Sequence, residues 1–129
     1  MNIVDSSAWL EFFAGGPNAG RFSAPIAASA SLLVPTLSIY EVFKRILQQR
    51  GDDDALQAVA IMEQGRVVDL DRSIALAAAR ISIDHDLPMA DSVMLATAWR
   101  FQATFWTQDA DFEGIDGVKY FPRQEGKSA

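Results

Sequence analysis

Four acidic residues stand where the chain could bring them together. Asp5 directly follows the apolar run Ile3-Val4, and Asp109 follows Phe105-Trp106 after Thr107-Gln108. Glu41 falls in the first turn of the helix expected after Leu32-Leu33-Val34, and Asp91 in the first turn of the helix expected after Pro88. Crowded carboxylates repel one another and their pKa values rise unless a cation lies between them. A divalent metal supplies that cation, and in an open oxygen-ligand site it can polarise a phosphodiester and lower the pKa of an attacking water. The chain has no cysteine and one histidine, His85, so thiol chemistry and Cys- or His-rich metal sites are excluded. An all-oxygen donor set points to Mg²⁺ or Mn²⁺. On spacing alone Asp5 and Asp109 are the natural metal ligands, with Ser6 and Thr107 placed to hydrogen-bond the carboxylates or a water.

Each acid also has an ordinary structural role open to it. Asp5 or Ser6 can cap the first helix. Ser38-Ile39-Tyr40-Glu41 has the form of a capping box, and Glu41 can also pair with Arg45 at i+4. Asp91 suits the positive end of a helix. Asp109 suits a turn before Asp111-Phe112. The run Asp52-Asp53-Asp54 reads as a solvated helix start rather than a metal site.

The elements that must position these residues follow from the apolar pattern. Short continuous runs at Ile3-Val4, Leu32 to Val34, Val67-Val68, Ala103 to Trp106 and Val118 to Phe121 read as strands. Helices are expected over 8–13, 18–30 (weakened by Pro25), 38–50, 52–64, 71–86 and 90–102, with Gly15-Gly16-Pro17, Gly51 and Gly65 as stops. Strands that lack polar alternation and alternate with helices require a sheet covered on both faces. The expected architecture is a three-layer α/β/α sandwich with a short, mostly parallel sheet. In such sheets sites form beyond the carboxyl ends of the strands, where Asp5 and Asp109 fall. The 129 residues are one domain's worth of chain, half of them hydrophobic. That domain is expected over 1–121, with a polar, mobile tail over 122–129. The start of the chain lacks the basic and long apolar stretches of a signal peptide, and no window approaches a membrane span, so cytoplasm is the expected compartment.

The same residues carry a resemblance. Ile3-Val4-Asp5-Ser6-Ser7-Ala8-Trp9-Leu10 resembles the opening of the PIN-domain family, a strand ending in Asp-Ser/Thr-Ser/Asn. Val34-Pro35-Thr36-Leu37-Ser38-Ile39-Tyr40-Glu41-Val42 is similar to its second block, Leu87-Pro88-Met89-Ala90-Asp91-Ser92 to its third, and Phe105-Trp106-Thr107-Gln108-Asp109-Ala110-Asp111-Phe112 to its fourth. Within the family the chain looks most like the VapC-type ribonuclease toxins of bacterial toxin–antitoxin pairs. The resemblance implies a PIN fold and a Mg²⁺- or Mn²⁺-dependent endoribonuclease, homodimeric and inhibited by a cognate antitoxin protein. It implies that Asp5, Asp91 and Asp109 ligate metal. Glu41 would ligate it, directly or through water, or orient the attacking water. Asp111 competes with Asp109 for the fourth position. Asp109 fits the strand end better, leaving Asp111 to cap the short turn carrying Phe112.

The net charge of −6 runs against a general nucleic-acid coat. RNA contact would fall to local cations, with Lys44, Arg45, Arg50 and Arg100 as candidates beside the plainer reading that they are solvated helix faces. An acidic body also suits a basic antitoxin segment. Trp9, Phe12, Phe13 and Tyr40 read as core or dimer contacts, Trp99 and Trp106 as core, and His85 as a surface cation at a helix end. Two rival readings remain. A response-regulator-like receiver would use Asp69 as phosphoacceptor, but Asp5 is followed by two serines where a second acid is needed, and Lys119 by Tyr120 where proline is needed. A catalytically silent interaction module of the same fold is the other.

Overall fold

The computed structural model describes residues 1–124. Five strands, β1 (Asn2–Val4), β2 (Leu32–Pro35), β3 (Arg66–Val68), β4 (Thr104–Thr107) and β5 (Val118–Tyr120), form one sheet in the order β3-β2-β1-β4-β5. Every pairing is parallel, with Ile3 opposite both Leu33 and Phe105. Six helices cover the sheet: α1 (Ser6–Ala14), α2 (Ala19–Ala27), α3 (Thr36–Arg50), α4 (Asp52–Met62), α5 (Arg72–His85) and α6 (Met89–Arg100).

Successive strand residues point to opposite faces, so the apolar runs feed two cores. Ile3, Leu33 and Phe105 face α5 and α6, where they meet Ile74, Ile81, Met94 and Leu95. Val4, Leu32 and Val34 face the other way onto Trp9, Phe22, Val42, Ile46 and Met62. This is the three-layer sandwich, and the sheet is wholly parallel. Beyond β1 the chain builds outward through β2 to β3, then returns across α5 and α6 to place β4 on the other side of β1. The strand order therefore reverses between β1 and β4, and a crevice opens at their carboxyl ends.

Several local expectations change. The second helix ends at Ala27, two residues past Pro25, and Ser29–Ser31 forms a separate 3₁₀ turn. The third begins at Thr36, with Pro35 as its cap, so Ser38 lies inside it. The Ser38 hydroxyl donates to the Pro35 carbonyl at 2.7 Å, and no capping box with Glu41 forms. Trp99 is not core: it is 38% exposed, and its indole N–H donates to the Asp116 carbonyl at 2.9 Å. Tyr40 is exposed, whereas Trp9 is fully buried. Of the expected tail, Pro122 accepts a hydrogen bond from the Asn18 amide at 2.9 Å, and residues 125–129 lie outside the described residues. No helix among the described residues is long and apolar enough to cross a membrane.

Candidate active site

Asp5 sits at the exit of β1. Its backbone N–H donates to the Trp106 carbonyl at 2.9 Å, extending the β1–β4 ladder by one rung, while its own carbonyl accepts the first bonds of α1. Asp5 is thus the N-cap by backbone, but its side chain makes no capping bond. Instead Oδ2 accepts from Thr107 Oγ1 at 2.8 Å and from Ser7 Oγ at 2.9 Å. The carboxylate is 3% exposed, and burial pushes its pKa up from 3.8 to about 6. The two hydroxyl donors pull against that shift, and the nearby Asp109 charge adds to it.

Thr107, the last residue of β4, is buried and links two acids. While its hydroxyl donates to Asp5, it accepts from the Asp109 backbone N–H at 2.9 Å. Asp109 caps the 3₁₀ turn Ala110–Phe112, its Oδ1 taking the Asp111 N–H at 2.9 Å. The cap of that turn is therefore Asp109 and not Asp111, because the acid that leaves the strand in extended conformation is the one whose side chain can reach forward two residues. Asp91 lies in the first turn of α6, which Pro88 starts at the same edge of the sheet. Oxygens of Asp91, Asp109 and Asp111 all lie within 4.8 Å of one another. Partial burial, followed by the charges of Asp5, Asp109, Glu41 and Asp111, pushes the Asp91 pKa up to about 7.

Glu41 enters from α3. Its Oε1 accepts from Ser6 Oγ at 2.7 Å, a contact across 35 residues of sequence. The expected Glu41–Arg45 ion pair does not form; among the described residues the ion pair found is Arg100 with Asp71, at 3.7 Å. Arg100 lies at the end of α6 remote from Asp91 and is spent there. Arg45 instead forms part of the wall of one cavity of about 280 Å³ that Asp5, Glu41, Asp91 and Asp109 share with Ser6 and Ser7.

The four acids singled out in the sequence thus line one concavity at the switch point of the sheet, and Ser6 and Thr107 each hydrogen-bond one of them. Sequence reasoning missed Ser7, which holds Asp5, and it missed that Asp111 stands beside Asp91 and Asp109 as well as competing with them. It also missed the buried pair Asn18 and Gln108, which bond at 3.1 Å behind the site. The signal for Ser7 was its position two residues after Asp5; nothing in the sequence joined Asn18 to Gln108, 90 positions away.

An all-carboxylate donor set, in which burial raises the pKa of Asp5 and Asp91, has the chemistry that suits a hard divalent cation. A cation held among them would favour the ionised form of Asp5 and Asp91.

The PIN domain family model matches residues 3–118, and the chain belongs to that family. No curated protein sequence matches it. Among solved structures it is similar to a toxin–antitoxin complex from Klebsiella pneumoniae, with a TM-score of 0.79 and 19% identity over 92% of this chain and 96% of that one. It is also similar to VapC20 of Mycobacterium tuberculosis, a sarcin–ricin loop cleaving toxin, with a TM-score of 0.75 and 19% identity over 90% and 95% of the two chains. DNA-bound VapBC from Salmonella typhimurium gives 0.71 at 14% identity over 95% and 98%. At these identities the likeness is one of fold.

Proposed function

We propose that this PIN-domain protein is a divalent-metal-dependent endoribonuclease that acts as the toxin of a toxin–antitoxin pair. The observation that carries the reading is the convergence of Asp5, Glu41, Asp91 and Asp109 on one cavity at the carboxyl ends of β1 and β4. The similar structures of toxins and toxin–antitoxin complexes support the role.

Asp5, Asp91 and Asp109 would hold Mg²⁺ or Mn²⁺, with Asp111 close enough to contribute an oxygen or fix a bound water. The ion, when bound, supplies the charge that stabilises the phosphate and lowers the pKa of the attacking water. Thr107 and Ser7 both occupy Asp5 Oδ2, which orients that carboxylate and leaves Oδ1 without a side-chain partner among the described residues. Ser6 fixes Glu41 through Oε1, so that Oε2 can orient a water on the phosphate. A cognate antitoxin would inhibit the enzyme, and exposed Leu76, Ile83 and Met89 on α5 and at the start of α6 offer an apolar surface for a homodimer.

The rival receiver needs its phosphoacceptor strand inside the sheet. Here β3 is an edge strand, and Asp69 beyond it accepts a bond from Thr36 at 2.7 Å.

The test is cleavage of total cellular RNA by purified, antitoxin-free protein with Mg²⁺, Mn²⁺ or EDTA, beside folded Asp5→Asn and Asp91→Asn variants. Metal-dependent cutting by wild type alone is expected. Cutting that persists in EDTA or in both variants overturns the reading, and a wild type that cuts nothing favours the silent interaction module.

A further inference from the structure

The net charge of −6 hides an uneven distribution. Adjoining the carboxylate cavity is a second of about 320 Å³, and Arg45, Ser7 and Leu10 belong to both. Arg50 and Arg123 complete a set of three guanidiniums around it, from successive turns of α3 and from the irregular segment that follows β5. One carboxylate, Glu11, shares the lining, and its Oε2 is taken by the Asn18 backbone N–H at 2.8 Å. Among the described residues none of the three arginines is in an ion pair. Arg45 and Arg50 are both exposed on α3, where arginines in so acidic a protein would ordinarily find acidic neighbours. Within this lining three positive charges stand against one, while Arg45 also borders the carboxylate cavity and Arg50 a cavity it shares with Asp54.

Guanidinium forks match phosphate oxygens bidentately, and the cavity has about the volume that one nucleotide fills. Half-buried Phe13, stacked on Trp9 at 5.7 Å, and Gln49 also line it. A chain lying across the carboxylates would pass Arg45 and enter this cavity with its neighbouring phosphate.

We propose that the cavity bounded by Arg45, Arg50 and Arg123 is a nucleotide subsite, which binds the phosphate and ribose next to the bond that is cut. The subsite rests on the ribonuclease reading above. It supplies the local positive charge that overall composition denies, and so places RNA affinity on a few residues beside the site. An acidic segment of a protein partner is the competing occupant. RNA is favoured because the cavity shares Ser7, Leu10 and Arg45 with the carboxylate site, so one nucleic-acid strand can reach both.

The probe is a fluorescein-labelled pool of random ten-nucleotide RNA, with binding read by anisotropy across a salt series and cleavage read alongside. The double variant Arg50→Ala/Arg123→Ala is compared with Arg80→Ala, an exposed arginine on α5, and folding is checked by circular dichroism. The double variant should bind at least tenfold more weakly. Its log K against log salt slope should be shallower by about 0.7, the release expected for one lost phosphate contact on a single strand. The cleavage loss should fall on KM, and Arg80→Ala should match wild type. If wild type binds and cuts while the double variant keeps wild-type affinity and slope, the subsite is wrong and the enzyme reading stands. If wild type neither binds nor cuts RNA, both fall together.

Discussion

Replacing Asp5 with asparagine should leave the protein inert even with metal supplied, yet make the metal-free protein more stable at neutral pH. The carboxylate is 3% exposed, and in the fold it holds its proton to about pH 6, against 3.8 in a solvated chain. Between those values the unfolded chain has lost a proton that the folded one retains. The unfolded state then binds fewer protons, so wild-type stability falls as pH rises through that window and stays at its full penalty above it. A rise of about two units corresponds to about 3 kcal/mol, of which roughly half is already felt near pH 5. The Asp5→Asn amide removes the titration and keeps an acceptor for Thr107 and Ser7. Urea denaturation in EDTA, followed by tryptophan fluorescence, should therefore show the variant gaining on wild type by about 1.5 kcal/mol between pH 5 and pH 7.5. A gap that is flat with pH, or a variant that loses ground at the higher pH, would refute the claim that Asp5 is a strained, desolvated acid.

Mg²⁺ or Mn²⁺ should stabilise the wild type by about 2.7 kcal/mol at a hundred times its dissociation constant, and thermal melts should show a smaller gain near pH 5, where Asp5 and Asp91 hold protons. Thr107→Val removes a donor to Asp5 and the acceptor of the Asp109 N–H; cleavage assays should show a loss of about 10–100-fold, with Mn²⁺ affinity reduced alongside. Gly65→Ala would bring a methyl within 2.9 Å of Val34 Cγ2 and 3.0 Å of the Leu32 carbonyl, so chemical denaturation should report a cost of about 1–3 kcal/mol with little change in cleavage per folded molecule.

The inner strands β1 and β2 were legible because they are buried on both faces. A run such as Leu32-Leu33-Val34 has no other stable place in a chain of this length, and the acids that end such runs fall at one edge. Asp5, Asp109 and Glu41 could be placed on that ground, whereas Asp91 needed the loop before its helix to lie at the same edge. What stayed hidden depends on contacts between distant segments. The local pattern at Ser38 reads as a capping box, yet Pro35 already sets an extended residue ahead of the helix, so the helix starts earlier and Glu41 is released to Ser6. Trp99 falls within an apolar helix, but its ring lies toward the loop after Asp116 and stays partly in solvent. The clustering of Arg45, Arg50 and Arg123 needs the end of the chain to fold back past β5, which no local pattern reports.

The most direct measurement of the central claim is anomalous scattering from a crystal grown with Mn²⁺. The account predicts a peak bounded by the carboxylates of Asp5, Asp91 and Asp109, absent from crystals of the Asp91→Asn variant. A wild-type crystal with no peak there, or with Mn²⁺ bound only at Asp52-Asp53-Asp54 or another surface cluster, would contradict it.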